Sequence, residues 1–339
     1  MSVTIKDVAK RAGVSPSTVS RVISNHPRIS AATAAKVRRV MEEIGYHPNL
    51  AAKSLVSKMT KTLGLILPRP AEELFLNLFF SEFIRGIVSK ATRDGYDVLM
   101  TSGASEREEM EAIKRLVKGK RVDGIVLLSS RKEDPLVAYL HKEQFPFILI
   151  GRSMDFSDIL SIDNDNEQAS YDATRHLIEL GHKRIGFVSG PPNLVVSHDR
   201  LEGYKRALKE HGLEMRPEWI VEGEFLQESG YRAMSYIMGI PERPTALVVI
   251  DDLVAYGVLR GLNELGYRVP EDVSLISFNN IAISALTTPP LTSIDIGIYQ
   301  MGYMAAQALV RKVTTDRDYA ERIIIPHRLE LRESTYPLK

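Results

Sequence analysis

The sequence predicts two structural classes in one chain, a small all-α head and an α/β core with two lobes built on parallel, doubly wound sheets. Two observations predict this division. Residues 1–61 combine apolar stripes at helical spacing with an excess of basic side chains. From residue 62 onward, short apolar runs alternate with helical stretches, and this alternation occurs on both sides of residue 160.

The composition excludes several classes of protein. With 339 residues, 44% of them hydrophobic and 26% charged, the chain is typical of a globular protein of two or three domains. No apolar run approaches the roughly 18 residues of a membrane span, and the first residues contain no apolar signal core, so we expect no membrane association. The absence of cysteine excludes disulfides and thiolate metal sites and fits a cytoplasmic location.

The charge is divided unevenly along the chain. Residues 1–61 hold eleven Lys and Arg against three acids, a formal charge of +8, and the remainder holds 33 basic and 40 acidic residues, a charge of −7. A basic head on an acidic body predicts that the head binds a polyanion. A flexible basic tail is disfavoured by the apolar periodicity, and a helical protein-interaction module remains the alternative.

The head begins with two short helices. Thr4 and Asp7 have the spacing of a capping box for the first helix, and Gly13 ends it, where a left-handed backbone is needed. Ser15 is a strong N-cap for the second helix, and Pro16 occupies the first helical position, which proline favours. Two helices joined by a glycine-containing turn are typical of a helix-turn-helix.

A third helix is predicted from Ser30 to about Ile44, where Gly45 stops it. In a helix-turn-helix, the second helix enters the major groove of DNA with its N-terminal residues at the base edges. Arg21 on that helix has the fork that binds guanine, and a contact with phosphate is its alternative role.

Three segments of the head, DVAKRAGVS, STVSRV and GYHPN, resemble the DNA-binding head of the lac-repressor (LacI/GalR) family. The resemblance implies a double-stranded DNA operator as partner. It also implies contacts with that operator by Ser15, Pro16, Ser17, Thr18, Ser20 and Arg21, with Thr4 and Tyr46 near the DNA backbone.

Residues 48–61 form a predicted hinge. Pro48 ends the third helix, and the segment that follows is shorter than the roughly 12–15 residues needed for an isolated helix in water. The hinge is therefore expected to become ordered only with a partner. The family resemblance implies that two copies pack in the minor groove and that Leu55 inserts between the central base pairs. A plain linker role for Leu55 remains the alternative.

The body alternates strands and helices. The apolar runs are LGLIL at 63–67, DVLMT at 97–101, GIVLLS at 124–129, FILIG at 147–151, RIGFVSG at 184–190, ALVVID at 246–251 and VSLISF at 273–278. The segments GHKRIGFVSG, RLEGYKRAL and PPLTSIDI resemble the periplasmic-binding-protein-like core of the same family. We predict a head at 1–47, a hinge at 48–61, a first lobe at 62–160 and 290–320, and a second lobe at 161–289 and 321–339.

A ligand cleft is expected between the carboxyl ends of the strands. Polar residues at these ends are the candidate effector-binding groups: Ser129, Arg152, Asp163, Asp251 and Asn279. The resemblance adds Phe79 and Phe80, for which core packing is the alternative, and Arg200, for which a surface position is the alternative. Asn279 lies where many relatives have Asp, so it keeps hydrogen bonding and loses a charge.

No catalytic residue, metal site or cofactor is predicted. Phosphate-loop, zinc-protease and nucleophile-elbow motifs are absent, and the eight histidines have no metal-ligand spacing. Asp251 and Asp252 leave a strand on opposite faces, which favours a ligand acceptor and a helix N-cap over an acid/base pair. His182 is expected to cap or pack at a helix end.

The predicted function is a sequence-specific transcriptional regulator. The family resemblance implies a repressor that acts as a homodimer on a near-palindromic operator. The effector is expected to be a small sugar, and the segments FNN, IGRS and SIDNDN resemble the maltose-operon branch, which indicates maltose or an α-glucoside. Induction is the expected sign, with corepression left open. A sugar-binding transport receptor and a nucleotide- or sugar-phosphate enzyme are the two alternative functions.

Overall fold

The computed structural model of the chain describes residues 3–24, 26–46, 59–68, 77–315 and 318–338. The chain divides into two units, Met1–Thr60 and Lys61–Lys339. Most of the predicted hinge, including Leu55, lies outside the described residues, so the boundary between head and hinge stays a prediction. Within the described ranges, no helix has the length and apolar character needed to cross a membrane.

The first unit contains three helices in its described part: α1 (Ile5–Ala12), α2 (Pro16–Ile23) and α3 (Ala31–Glu43). They enclose a small core of Val8, Ala9, Ala12, Val19, Val22, Val37 and Val40. These bounds agree with the helices that the sequence predicts.

The predicted caps of the head are also present. The carboxylate of Asp7 accepts the backbone N–H of Thr4 at 2.9 Å and its hydroxyl at 2.7 Å. Gly13 has the left-handed φ of 65° that ends α1. The hydroxyl of Ser15 accepts the N–H of Thr18 at 3.1 Å, which fixes the start of α2.

The described part of the second unit contains two six-stranded sheets. The first sheet has the order β11-β5-β4-β3-β1-β2, and all its pairs are parallel. Its strands are β1 (Thr62–Leu67), β2 (Asp97–Ser102), β3 (Gly124–Leu127), β4 (Phe147–Ile150), β5 (Ser161–Asn164) and β11 (Arg322–Ile325). The helices of this lobe are α4 (Leu78–Arg93), α5 (Glu106–Lys118), α6 (Pro135–Lys142) and α11 (Ile298–Thr314).

The second sheet has the order β12-β10-β9-β8-β6-β7, parallel except where β12 runs antiparallel to β10. Its strands are β6 (Ile185–Ser189), β7 (Ile220–Glu222), β8 (Ala246–Val249), β9 (Ser274–Phe278), β10 (Thr292–Asp295) and β12 (Arg328–Glu330). The helices are α7 (Asn166–Glu179), α8 (Val195–Glu210), α9 (Gln227–Ile237) and α10 (Asp252–Glu264), with 3-10 turns at Pro217–Trp219 and Ala282–Ala285.

The strand pairing differs from the predicted lobe boundaries in three strands. β5 pairs with β4 and belongs to the first lobe, although residue 161 was predicted to open the second. β10 pairs with β9 in the second lobe, and β11 pairs with β5 in the first, so each lies opposite to its predicted side. Apolar runs reveal where strands lie along the chain, whereas lobe membership depends on long-range hydrogen bonding that a single sequence does not display.

Over the described residues of the core, the chain therefore crosses between the lobes three times. The first crossover joins β5 to α7, the second joins β10 to α11, and the third joins β11 to β12. Burial of a strand depends on its position in the sheet. The central strands β3, β4, β8 and β9 are buried throughout, whereas the edge strand β2 contains only exposed and partly buried residues.

Candidate functional site

A cavity of about 480 Å³ lies between the two lobes, at the carboxyl ends of the strands. This volume lies within the range typical of sites for small molecules. Its wall contains all eight candidate effector residues that the sequence indicates: Phe79, Phe80, Ser129, Arg152, Asp163, Arg200, Asp251 and Asn279. The structure thus brings together side chains that are up to 200 residues apart in the sequence, although their role in binding an effector stays a prediction.

Arg200 on α8 is the most deeply buried cation of the cavity wall. Only 3% of this residue is exposed, so a surface position is wrong. Its Nε donates to Oδ1 of Asn166 at 3.0 Å, its Nη1 donates to the carbonyl of Ile250 at 2.5 Å, and its guanidinium lies 4.2 Å from the ring centroid of Phe278. Burial lowers the pKa of Arg200 to about 10, although Asp251 and Asp163 oppose that shift.

Asp163 lies in β5 of the first lobe, across the cleft from Arg200. Its Oδ1 accepts Nδ2 of Asn166 at 3.0 Å, and its Oδ2 accepts Nη2 of Arg322 at 3.0 Å. Burial raises the pKa of Asp163, and the ion pair with Arg322 opposes that rise. Asn166 therefore connects Asp163 to Arg200 through the two ends of one amide.

Arg152, which follows β4, does not present a free fork to the cavity. Its Nε and Nη2 donate to the two carboxylate oxygens of Asp199 at 2.8 and 2.6 Å. Because Asp199 lies on α8, this bidentate ion pair joins the two lobes across the cleft. The hydrogen bond with Asp199 raises the pKa of Arg152, so the guanidinium stays charged.

The roles of Asp251 and Asp252 agree only in part with the sequence prediction of one ligand acceptor and one helix N-cap. Asp251 combines both predicted roles, since it lines the cavity and its Oδ1 caps α10 by accepting the N–H of Val254 at 2.7 Å. Its Oδ2 accepts Nδ2 of Asn77 from the first lobe at 3.3 Å.

Asp252 is not a ligand acceptor, because it is buried in the second lobe. It accepts the hydroxyls of Ser277 and Ser293 and the N–H of Ile281, the last at 2.8 Å. Burial raises the pKa of Asp252 to about 7.

The aromatic pair lies at the start of α4. Phe79 and Phe80 are partly buried and form an edge-to-face pair with centroids 5.2 Å apart, and Phe79 also stacks on Phe83 at 6.1 Å. Both rings line the cavity, so neither ring is only a core-packing residue. Phe225 from the second lobe adds a third ring to the wall.

Ser129 and Asn279 complete the predicted set. Ser129 is partly buried two residues after β3, whereas Asn279 is 93% buried directly after β9. Asn279 has φ 100°, a conformation that asparagine adopts more readily than most residues with a side chain. Asparagine at this position therefore serves the backbone as well as the cavity wall.

Main-chain hydrogen bonds also join the lobes at the cavity. The N–H of Val195 donates to the carbonyl of Ser130 at 3.0 Å, and the N–H of Lys132 donates to the carbonyl of Asn193 at 2.9 Å. Arg131, between the two first-lobe residues, is held by Glu109 through two hydrogen bonds of 2.8 Å. These contacts describe a closed cleft.

Sequence reasoning missed eight polar residues of this site: Asn77, Ser130, Arg131, Asn164, Asn166, Asn193, Asp199 and Glu224. Asp199 precedes Arg200 directly, and Asn77 occupies the N-cap of α4, so both had a local signal. The partners of Arg131 and Asn166 are determined by tertiary contacts, and no local pattern indicates them.

The exposed end of α2 is the candidate nucleic-acid interface. Ser15, Pro16, Ser17, Ser20 and Arg21 are exposed. Thr18 is partly buried, and its hydroxyl lies 2.9 Å from that of Ser15. Thr4 is exposed at the start of α1, and Tyr46 is partly buried against the head core.

His182 has a structural role, and the described residues form no metal site. His182 is buried after α7, with Nδ1 3.0 Å from the hydroxyl of Thr245 and Nε2 3.1 Å from the carbonyl of Tyr336, which confirms the expected packing role. In the part of the chain that the structure describes, no group of three or more His, Cys, Asp or Glu side chains could hold a metal ion.

Two family models match the chain. Residues 4–49 match the model of bacterial regulatory proteins of the lacI family, and residues 174–335 match a periplasmic binding protein-like domain. The first match contains the candidate nucleic-acid interface, and the second contains Arg200, Asp251 and Asn279.

Similar proteins are transcription regulators. The HTH-type transcriptional regulator MalR of Streptococcus pneumoniae is 38% identical over 336 residues, covering 97% of this chain and 99% of the relative. A solved complex of the transcriptional regulator CelR with cellobiose is 31% identical, with a TM-score of 0.77 over 98% of this chain and 99% of that one. The lac repressor dimer bound to operator and the anti-inducer ONPF is 26% identical, with a TM-score of 0.86 over 99% and 100%.

These matches exclude the transport receptor and the enzyme that composition alone left open. The head is a helix-turn-helix, the core is periplasmic-binding-protein-like, and similarity extends along nearly the whole length of known regulators. The chain belongs to the lacI family of bacterial regulatory proteins, and it is a DNA-binding transcription regulator rather than an enzyme.

Proposed function

We propose that this protein is a cytoplasmic repressor that binds a near-palindromic operator as a homodimer and releases it when an uncharged sugar enters the cavity between the lobes. The observation that carries the proposal is the cavity itself, in which charged groups from both lobes already neutralise one another. The identity of the sugar, the sign of regulation and the roles of individual residues are parts of this proposal.

The head supports the DNA-binding half of the proposal. Ser15, Ser17 and Ser20 are short exposed side chains, so the end of α2 can approach base edges closely, and Arg21 adds a fork for guanine or phosphate. The charge of +8 over residues 1–61 supports neutralisation of operator phosphates, which makes binding strongly dependent on salt. Two heads in a dimer read two half-sites.

The charge of the cavity favours a neutral ligand. The described wall contains three arginines (Arg131, Arg152 and Arg200) and four carboxylates (Asp163, Asp199, Glu224 and Asp251), a formal charge of −1. Arg131 and Arg152 are each held by a bidentate carboxylate. A phosphate ester that paired with Arg131 or Arg152 would have to displace one of these carboxylates, and burial of the displaced charge is costly.

The remaining chemistry of the cavity suits a polyhydroxylated ligand. Carboxylate and amide groups accept and donate hydrogen bonds to hydroxyls, and the rings of Phe79, Phe80 and Phe225 provide apolar faces for the C–H surfaces of a sugar. The resemblance to the maltose-operon branch makes maltose or another α-glucoside the first candidate. The CelR complex with cellobiose supports a disaccharide as the class of ligand.

The sugar can act only through its different affinities for two conformations of the protein. A ligand that changes the angle between the lobes would change the relative orientation of the two first lobes in the dimer. Through the hinge, it would then change the insertion of Leu55 into the operator. A coupling of about 1–3 kcal/mol between the two sites is typical of such regulators.

The test measures DNA and sugar binding with the full-length protein. The operator is selected from random duplexes, and its affinity is then measured at several salt concentrations by fluorescence anisotropy. Maltose, cellobiose, glucose and glucose 6-phosphate are titrated into the complex. We expect an uncharged disaccharide to release the operator and the phosphorylated sugar to require at least about a tenfold higher concentration.

Three results would contradict the proposal. A protein that binds all duplexes equally well would have no operator. Release by the phosphorylated sugar alone would contradict the neutral effector, and tighter operator binding with sugar would identify corepression instead of induction.

A further inference from the structure

The three crossovers between the lobes converge on one buried side chain. Asn164, the last residue of β5, begins the first crossover and is only 2% exposed. Its Nδ2 donates to the carbonyl of Ile296, in the second crossover, at 2.9 Å. The same nitrogen donates to the carbonyl of Ile325, where the third crossover begins, also at 2.9 Å. One amide group therefore connects all three segments on which the lobes can hinge.

The residue type fits this position for a chemical reason. Both partners are carbonyl oxygens, which only accept hydrogen bonds, so the group between them must donate twice. An uncharged amide nitrogen provides two donors without burying a charge. An aspartate of the same shape would present an oxygen to two carbonyl oxygens and leave both without a donor.

Further contacts reinforce the same junction at its edge. Asp295, which ends β10, accepts Nη2 of Arg328 from β12 at 3.3 Å, and it accepts the N–H of Gly297 at 2.7 Å. Arg328 is largely exposed, so this ion pair contributes little compared with the buried amide. Within the described chain, Asn164 is thus the buried contact that links the three crossovers.

The junction is also continuous with the cavity. Asn164 follows Asp163, and its carbonyl accepts Nδ2 of Asn166 at 3.4 Å, the same amide group that contacts Asp163 and Arg200. A ligand that moves Arg200 or Asp163 would therefore act on the segment that holds the crossovers together.

We propose that Asn164 is the positioning residue that fixes the angle between the lobes, by holding the three crossovers in one arrangement. Hydrogen bonds at this point favour the closed cleft before any ligand binds, and they transmit a change at Asp163 and Arg200 to the second and third crossovers. The second statement rests on the proposed function of the cavity, whereas the first does not.

The test measures the distance between the lobes in the ligand-free protein. Because the chain contains no cysteine, spin labels attach only at introduced positions. Arg107→Cys on α5 and Glu228→Cys on α9 place one label on an exposed site of each lobe. Labelled chains are mixed with excess unlabelled protein, so that each dimer contains at most one labelled pair.

The distances are compared among the wild type, Asn164→Asp, Asn164→Ala and a matched control, Asn263→Asp. Asn263 is exposed on α10, so the control introduces the same charge away from the crossovers. We expect a longer mean distance and a broader distribution for both changes at Asn164, and an unchanged distribution for the control. Circular dichroism and gel filtration establish that each variant is a folded dimer.

Titration of maltose then tests the connection with the cavity. If maltose binds the wild type, its affinity should fall about tenfold in Asn164→Asp and stay within about twofold in the control. If no sugar tested binds the wild type, the proposed effector is wrong, while the distances still test the role of Asn164.

An unchanged distance distribution in Asn164→Asp and Asn164→Ala would overturn the proposal. Loss of folding in both variants would also overturn it, because Asn164 would then determine folding rather than the angle between the lobes.

Discussion

At the scale of single residues, Arg200 shows how a buried cation can organise a binding site. Its guanidinium is held by an amide oxygen, a backbone carbonyl and the ring of Phe278, and none of these partners carries a charge. The carboxylates that compensate its charge lie farther away, around the cavity. A ligand hydroxyl can therefore approach Arg200 without displacing a direct ion pair.

Arg200→Lys is expected to weaken effector binding by about 10- to 100-fold, because an ammonium group cannot reproduce the rigid fork between Asn166 and Ile250. Calorimetric titration of the active sugar measures this loss. Lys209→Ala on the exposed side of the same helix is the control and should bind normally. Equal sugar affinity in the wild type and Arg200→Lys would remove Arg200 from the binding site.

Asp252 predicts a pH dependence of stability. Burial raises its pKa from 3.8 to about 7, so between these values the folded protein binds a proton that the unfolded chain releases. The contribution of Asp252 to stability is therefore fully present below pH 3.8 and is lost as the pH rises toward 7, with a slope of at most about 1.4 kcal/mol per pH unit.

Asp252→Asn removes this titration, so its stability relative to the wild type should increase from pH 5 to pH 8. Urea unfolding of both proteins across this range measures the difference. A constant difference at every pH would show that Asp252 does not titrate in this interval.

Five candidate residues of the cavity could be predicted because each lies near the end of a strand, where an apolar run stops at a polar residue: Ser129, Arg152, Asp163, Asp251 and Asn279. The family resemblance indicated Phe79, Phe80 and Arg200. The partners of these residues could not be predicted. Asp199 and Asn166 acquire their roles only when α8 and α7 pack beside the cavity, and Arg152 was expected to bind the ligand although its fork is occupied by Asp199.

At the scale of elements, the pair of Arg152 and Asp199 connects the loop after β4 to helix α8. Both side chains are mostly buried, so this contact is less screened by solvent than a surface ion pair. Together with the main-chain bonds near Ser130 and Asn193, it holds the two lobes against each other across the cleft.

Asp199→Asn should loosen the closed cleft, because the amide loses the charge that holds the guanidinium of Arg152. We expect faster hydrogen exchange in the segments 129–132 and 193–200, measured by mass spectrometry without ligand. Glu202→Gln, a more exposed acid on the same helix, is the matched control. Identical exchange in the wild type and both variants would assign closure to the main-chain bonds alone.

Prediction of elements succeeded where the signal is local. The caps at Thr4, Ser15 and Ser30 define the three head helices within a residue or two, and each of the seven apolar runs overlaps one of the strands. Assignment of β5, β10 and β11 to the lobes failed, because a strand of four residues beside a crossover can pair with either sheet.

At the scale of the whole molecule, the head and the core form separate units, and each has its own hydrophobic core in the described residues. Removal of residues 1–60 should therefore abolish operator binding and leave sugar affinity within about twofold of the full-length value. Anisotropy with the operator and calorimetry with the sugar measure the two effects. Loss of sugar binding in the shortened chain would show that the two units depend on each other.

The two main-chain hydrogen bonds that join the lobes, from Lys132 to Asn193 and from Val195 to Ser130, have an evolutionary consequence. Every residue except proline supplies a backbone N–H, so these bonds survive nearly any exchange of side chains at positions 132 and 195. Descendants of this chain could therefore vary the side chains of the cavity to recognise new sugars while the two lobes stay hydrogen-bonded to each other. Only a proline at position 132 or 195 would remove one of these donors, and the cleft of such a protein should be more open.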